Sequence, residues 1–346
     1  MRIAVHDYCG HPFQVQLSRE LARRGHQVTH LWCPSVPSGR GGLEPRPGDP
    51  AGLSVVPVAL DRAFERYQAW KRLPQEVAYG RRLVVAVEQS RPDVVISANT
   101  PLLAQRALVS ACGRQGTPFV SWLQDLLSIG TGAVLRRRVP GAGALAGATL
   151  EAIEARMLRA SDAVVAISAD FRPTLDRFGV APERVQVIEN WAPLDELAPA
   201  PRHNAWSAQH GLDPATVLCY AGTLGLKHDP ELLLALARHF RHQPGVRLVV
   251  VSEGRGRQWL GAKAAEEGLA NVVLVDYQPY DRLAEVLGAA DVLVCILNQE
   301  AGAFSVPSKV LTYHCAGRPL LAAIPAANLA ARVVREAGSG LVVEPG

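Results

Sequence analysis

Two short segments in the second half of the chain have residue types and spacing suited to holding a phosphorylated ligand. The first is residues 217–227, VLCYAGTLGLK, followed by His228, Asp229, Pro230 and Glu231 at the opening of a helix. An apolar strand here runs into a turn bracketed by Gly222 and Gly225, where backbone can pass close to a ligand. Lys227 stands just before the helix and can neutralise phosphate charge. The second is residues 302–319, GAFSVPSKVLTYHCAGRP. Pro307 fits the start of a helix, and the amides of Ser305, Val306 and Ser308 are then expected to face a diphosphate. Lys309 adds a further cation. Cations beside helix N-termini at strand ends are costly unless they meet an anion, which favours the diphosphate reading over a solvated surface.

These segments need a scaffold, and the hydrophobic pattern supplies one. Short β-branched runs alternate with longer amphipathic stretches, as in parallel α/β architecture. In the first half, strands are expected over residues 3–6, 27–33, 54–60, 93–98, 119–123, 163–167 and 185–188, with helices over 13–24, 63–89, 101–114, 145–159 and 169–178. A Pro/Ala-rich stretch, 193–201, reads as a linker. Beyond it, strands are expected over 217–221, 246–251, 272–275, 292–296, 319–323 and 341–343, and helices over 230–242, 258–267, 280–288, 308–315 and 328–336. The expected architecture is two Rossmann-like doubly wound domains, 1–197 and 198–346, facing a cleft, with ligands at the carboxyl ends of the strands.

Composition narrows the chemistry. Charged residues make up 20% of the 346, ordinary for a soluble globular chain, and no apolar run reaches the length of a membrane span. The N-terminus enters a strand pattern at once, so the reading is of a cytoplasmic protein without a signal peptide. The six cysteines are scattered and the ten histidines show no ligand spacing, which favours reduced structural thiols and no metal site. There is no GxGxxG after the first strand and no GxxxxGK[ST], which disfavours nicotinamide and flavin enzymes and P-loop NTPases. No Asp-x-Asp pair offers a metal for a nucleotide diphosphate. Residues 1–160 carry 20 Lys+Arg against 12 Asp+Glu. That excess suits peripheral contact with an anionic membrane at the inner face of the plasma membrane; a solvated Arg-rich surface is the equal alternative. The run Arg136, Arg137, Arg138 before VPGAGALAGATLEAI reads in the same two ways, as a membrane-surface element or as a basic loop before a helix.

The 217–227 turn resembles the first turn of the C-terminal domain in glycosyltransferase family 4 (group 1), of the GT-B fold, where a glycine turn and a lysine grip the donor diphosphate. Residues 302–319 resemble the family's acidic loop and helix in its PSKxxEYxxxGxP form: Pro307, Ser308, Lys309, Tyr313, Gly317 and Pro319 match. That form resembles a subgroup of bacterial surface-polysaccharide enzymes of O-antigen and colanic-acid type. Two positions depart from the pattern. Thr223 stands where many members carry arginine, and Thr312 where a glutamate meets the donor ribose; Glu300 lies near the place of the other glutamate. The resemblance extends to VVVSEGRGRQWL, with Glu253 and Gly254 under the donor, and to VDYQPYDRLAEVL, with Tyr277 and Gln278 as neighbours of the base through their backbone. In the first half, DYCGHPFQVQLSRELARRGHQV resembles the family's opening and sets Gly10 and His11 at a helix N-terminus. SWLQDL puts Asp125 past a strand end, as an acceptor-side group or a helix N-cap. His11 is read as a catalytic-type contact or as a packing residue.

What the resemblance implies is transfer of a hexosyl or N-acetylaminosugar unit from a nucleotide-diphosphate donor, UDP-linked on the family reading, to a hydroxyl acceptor. The acceptor would be a glycan or lipid-linked intermediate, with the configuration retained and neither metal nor other cofactor required. Lys227, Lys309, His11 and Asp125 are the candidate catalytic residues, and nucleic acid is not an expected partner. A non-catalytic nucleotide-sugar-binding homologue and a nucleotide-sugar 2-epimerase are the alternatives. Family members normally continue beyond the GLVVEPG terminus with crossover helices, so a shortened chain is expected.

Overall fold

Strands that are apolar along their whole length must be covered on both faces, and helices on either side of parallel sheets provide that cover. The computed structural model describes residues 1–346 except 37–40, 66–68, 99, 140 and 226. The chain divides into two compact units, Met1–Asn190 and Trp191–Gly346. In the first, strands β1 (Arg2–Asp7), β2 (Gln27–Trp32), β3 (Leu53–Pro57), β4 (Val94–Ala98), β5 (Phe119–Leu123), β6 (Ala163–Ala166) and β7 (Val185–Val187) form one sheet in the order β3-β2-β1-β4-β5-β6-β7. Its helices are α1 (Pro12–Arg23), α2 (Ala69–Ser90), α3 (Leu102–Gln115), α4 (Leu127–Arg138), α5 (Ala142–Ala160) and α6 (Arg172–Arg177). Ile3 and Val5 of β1 join Ala22 and Val28 on one face, while Ala4 joins Leu31, Leu83, Val95 and Leu108 on the other.

The second unit contains β8 (Thr216–Ala221), β9 (Val246–Val251), β10 (Val272–Val275), β11 (Val292–Ile296), β12 (Leu320–Ala323) and β13 (Gly340–Val343), in the order β10-β9-β8-β11-β12-β13. Helices α7 (Ala205–Gln209), α8 (Pro230–His239), α9 (Arg255–Glu266), α10 (Leu283–Gly288), α11 (Lys309–Cys315) and α12 (Leu329–Glu336) connect them. The strands of both sheets pair in parallel. In each sheet the order reverses once, between β1 and β4 and between β8 and β11. A crevice opens at such a reversal, because the flanking helices leave to opposite faces. No helix among the described residues is long and apolar enough to cross a membrane.

All thirteen expected strands are present, with ends moved by up to three residues. Of the helix expected over 63–89, residues 63–65 are not helical, 66–68 lie outside the described residues, and α2 is found over Ala69–Ser90. A larger difference is α4, which covers residues 127–135, where no helix is expected, and ends in Arg136, Arg137 and Arg138. LSIGTGAVLRRR carries two glycines and no side-chain cap of its own. Its helical form is imposed by α5: Glu154 accepts hydrogen bonds from Leu127 N (3.1 Å), Ser128 N (3.1 Å) and Ser128 Oγ (2.5 Å). The two helices then meet through glycine. Gly132 and Gly147 face one another, and a Cβ at Gly143 would lie 2.1 Å from the Leu135 carbonyl oxygen.

Gly143→Ala therefore should destabilise the first unit by about 1–3 kcal/mol through overpacking. Gly113→Ala, on an open face of α3, should be neutral or stabilising by up to about 1 kcal/mol. Denaturant unfolding of the two variants checks this; equal stability of both would contradict the close packing of α4 on α5.

Candidate functional site

At the reversal of the second sheet, β8 and β11 pair only at Leu218–Val292 and Cys219–Leu293. The end of β8 then needs another partner on that side, and α11 provides it. Tyr313, buried at 1% exposure, accepts from Ala221 N at 2.9 Å and donates to Ala221 O at 3.0 Å. One hydroxyl thus stands in for a strand neighbour. Immediately afterwards the chain turns at Gly222, whose φ of +139° suits glycine. Its amide donates to Val251 O at 2.9 Å. A Cβ there would sit 3.2 Å from the ammonium of Lys309, so the missing side chain is what makes room for that cation.

Lys309, the first residue of α11, donates from Nζ to Tyr220 Oη at 2.6 Å and lies 3.8 Å from the centroid of the same ring. Tyr220 Oη passes a hydrogen bond on to Thr223 O at 2.7 Å. Part of the residue's surface is open to solvent, but the protein packed around its ammonium lowers the pKa to about 8. Lys227 donates to Ser305 Oγ at 3.0 Å, and its carbonyl accepts from Asn298 N at 2.9 Å. The glycine turn after β8 is therefore tied to the loop after β11. His228 lies within the field of both lysines: burial, then the charges of Lys309 and Lys227, hold its pKa well below the ordinary histidine value. Its Nδ1 accepts from Gly225 N at 3.3 Å, as a neutral ring can.

The other expected donor residues are distributed around this centre. Thr223 Oγ1 meets Tyr277 Oη at 2.5 Å, fastening the turn to the segment after β10. Gln278 turns its side chain to Trp206 Nε1 at 3.0 Å and to Asp276 O at 3.0 Å. Glu253 is half-buried, and Gly254 is exposed at the N-cap of α9. Glu300 is exposed in a single helical turn, Glu300–Ala303, whereas Thr312 is half-buried on α11. Gly225 is half-buried in the turn two residues before Lys227, and Pro307 is buried just ahead of α11. One expectation needs correcting: the Ser305 amide is not open to a ligand, because it donates to Ala301 O at 3.0 Å. What Ser305 presents to Lys227 is its hydroxyl. No hydrogen bond from the amides of Val306 or Ser308 is found among the described residues.

In the first unit, Gly10 and His11 lie at the carboxyl end of β1, with His11 at the N-cap position of α1. The residue that builds this loop is Asp7, which no motif in the sequence marks. Its fully buried carboxylate accepts from Cys9 N (3.1 Å) and His11 N, and lies 3.5 Å from His11 Nδ1. With the Gln14 amide oriented nitrogen-inward, Gln14 donates to it as well. Burial pushes the Asp7 pKa up, but the facing His11 and these hydrogen bonds outweigh it, and the net value lies below the ordinary range. Asp125 follows β5, two strands from β1, in a pocket shared with Ser97, Gln105, Gln124 and Glu154. It does not cap α4: Leu126 holds the N-cap position and Glu154 takes the first amides. Burial, helped by the charge of Asp125, raises the Glu154 pKa to about 7. Among the described residues, no three His, Cys, Asp or Glu side chains gather to hold a metal ion.

Comparison with known proteins adds to this geometry. A model described as Glycosyltransferase Family 4 matches residues 14–196, and one described as Glycosyl transferases group 1 matches residues 203–346. A D-inositol 3-phosphate glycosyltransferase of Segniliparus rotundus is 31% identical over 156 residues, which is 43% of this chain and 34% of that protein. The match thus spans about a third of that relative's length. Among solved structures, sucrose-phosphate synthase from Thermosynechococcus elongatus superposes with a TM-score of 0.71 at 17% identity, covering 100% of this chain and 86% of the other. Anabaena HepE in complex with UDP and glucose gives a TM-score of 0.69 at 16% identity, with 100% and 86% covered. At these identities the likeness is one of fold, and it is the GT-B fold.

Tyr313→Phe should leave Ala221 N and O without their partner and destabilise the second unit by about 1–3 kcal/mol. Urea unfolding of the variant checks it; unchanged stability would show that the strand end is satisfied in another way.

Proposed function

Because the chain belongs to glycosyltransferase family 4, we propose that it transfers a sugar from a nucleotide-diphosphate donor to a hydroxyl acceptor. The observation that carries this reading is the placement of Lys309 on the open side of Gly222, at the reversal of the second sheet. A partly desolvated ammonium there is poised for an anion, and a second cation, Lys227, is held on the same loop pair. Bond breaking leaves negative charge on the departing diphosphate, and preorganised cations in a low-dielectric site stabilise such charge far better than water does. With two lysines supplying the positive charge, the reaction proceeds without a metal ion. Thr223, tied to Tyr277, shapes the donor pocket where other members carry arginine.

UDP is the proposed nucleotide, supported by the UDP complex of Anabaena HepE. The acceptor is proposed to be a lipid-linked or polysaccharide intermediate bound by the first unit, with His11 and Asp125 on the acceptor side and the configuration retained. The D-inositol 3-phosphate glycosyltransferase relative makes a phosphorylated polyol a second acceptor class to include in an assay. The replacement of two family-typical side chains by Thr223 and Thr312 supports one competing reading, a nucleotide-sugar binder without turnover.

Titration with a panel of UDP- and GDP-sugars, followed by a transfer assay, separates these readings: binding without turnover on any acceptor would favour the binder. Lys309→Ala should lower kcat by about a hundredfold or more, the range found on removing one donor to a developing anion. Tight donor binding and full turnover in that variant would refute the assignment. Donor affinity should also fall as pH rises through about 8, where free Lys309 loses its proton, and Lys309→Ala should abolish that limb. The sign for folding is opposite. The unfolded chain holds this proton more tightly, so the Lys309 contribution to stability rises between about pH 8 and the ordinary lysine value.

A further inference from the structure

The outer end of the α4 and α5 hairpin combines exposed arginines with exposed apolar side chains. Between Asp125 and Glu151 the chain has no acidic residue, and its only charges are Arg136, Arg137 and Arg138. All three are exposed in the last turn of α4. Beside them stand Val139 at 50% exposure and Leu145 at 73%. Ala148 and Ala152 continue the exposed face of α5 from Leu145 at helical spacing. The opposite side of the same helix is apolar too, since Leu150 and Ile153 pack on the core of the first unit. The outer face thus presents Leu145 and Ala148 to solvent beside Thr149. The face becomes charged only farther along, at Arg156 and Arg159.

We propose that this hairpin end is a docking surface for an anionic lipid bilayer. Val139 and Leu145 would enter the headgroup boundary, and Arg137 and Arg138 would meet lipid phosphates, while Arg136 is paired with Glu151. Charge complementarity selects this occupant: an apolar end ringed by cations, with no carboxylate on the exposed turns, matches a negatively charged interface. The anchoring suits the role. Glu154 holds the base of the hairpin, Glu151 pairs with Arg136 (3.6 Å) and Arg177 (2.8 Å), and the glycine contacts lock the helices together. This inference is independent of the donor chemistry proposed above and assigns the membrane contact to one surface.

The test is co-sedimentation of the full chain with vesicles of equal parts phosphatidylglycerol and phosphatidylcholine, and with phosphatidylcholine alone. Binding should require phosphatidylglycerol and weaken strongly in about 0.5 M salt. Arg137→Ala combined with Arg138→Ala should reduce it about tenfold or more, and Leu145→Asp should do the same. Leu341→Asp, at a residue of equal exposure in β13, should leave it unchanged. Leu145→Trp should show blue-shifted emission when vesicles are added. The proposal is overturned if the wild type ignores anionic vesicles, if the hairpin variants bind as well as the wild type, or if the tryptophan emission does not move. It is equally overturned if Leu145→Asp abolishes self-association but not vesicle binding, which would assign the face to a second copy. Nucleotide-sugar binding, measured separately, should be the same in all these variants.

Discussion

The end of β8 must find hydrogen-bond partners after β11 has left it, and the geometry of the second unit follows from how that demand is met. A parallel sheet whose strand order reverses cannot satisfy the outgoing backbone with strands alone. The hydroxyl of Tyr313 does so on one side, at 2.9 and 3.0 Å from Ala221 N and O. Fixing Tyr313 fixes α11, and α11 carries Lys309 at its first position. The cation is thereby placed against Tyr220 and over Gly222 by a bond whose primary purpose is to close a sheet.

The two units handle buried charge in contrasting ways. In the first, the Asp7 carboxylate is enclosed by amides of its own loop and by Gln14, so its charge is spent on holding the loop after β1. In the second, the partner of Lys309 is a neutral tyrosine hydroxyl, and His228 nearby is kept neutral by burial and by both lysines. A phenol stabilises an ammonium far less than a carboxylate does. The diphosphate site proposed above rests on this difference, since Lys309 faces no carboxylate in its hydrogen bond. The pKa of about 8 for Lys309 expresses the same fact.

The hairpin of α4 and α5 shows how context overrides local preference. Glycine disfavours helix, and the sequence of α4 contains two of them without a cap. Here the same glycines permit backbone contact between helices, and a carboxylate from the neighbouring helix takes the first amides. The gain from packing and capping exceeds the cost in propensity. The exposed apolar end of the hairpin is a consequence, because its apolar residues face outward where the helices turn.

Periodicity determined the thirteen strands and the parallel α/β class, because burial on both faces writes itself into continuous apolar runs, and the Pro/Ala-rich stretch 193–201 marked the division into two units. Residue type and spacing also marked Gly222, Lys227, Pro307 and Lys309, since glycine at a strand end and lysine at a helix start are local signals. Only the tertiary structure decided the rest. Tyr313, Tyr220 and His228 gain their importance from neighbours far away in sequence, or from burial that no local pattern records. Asp7 follows the first expected strand, and nothing local marks its carboxylate as the group the loop folds over. The Ser305 amide, expected to be open, is taken by Ala301 O. The helix of residues 127–138 depends on Glu154, which follows it in the chain by sixteen residues or more. Sequence reports what each residue prefers; which buried group satisfies which other is settled only when distant segments meet.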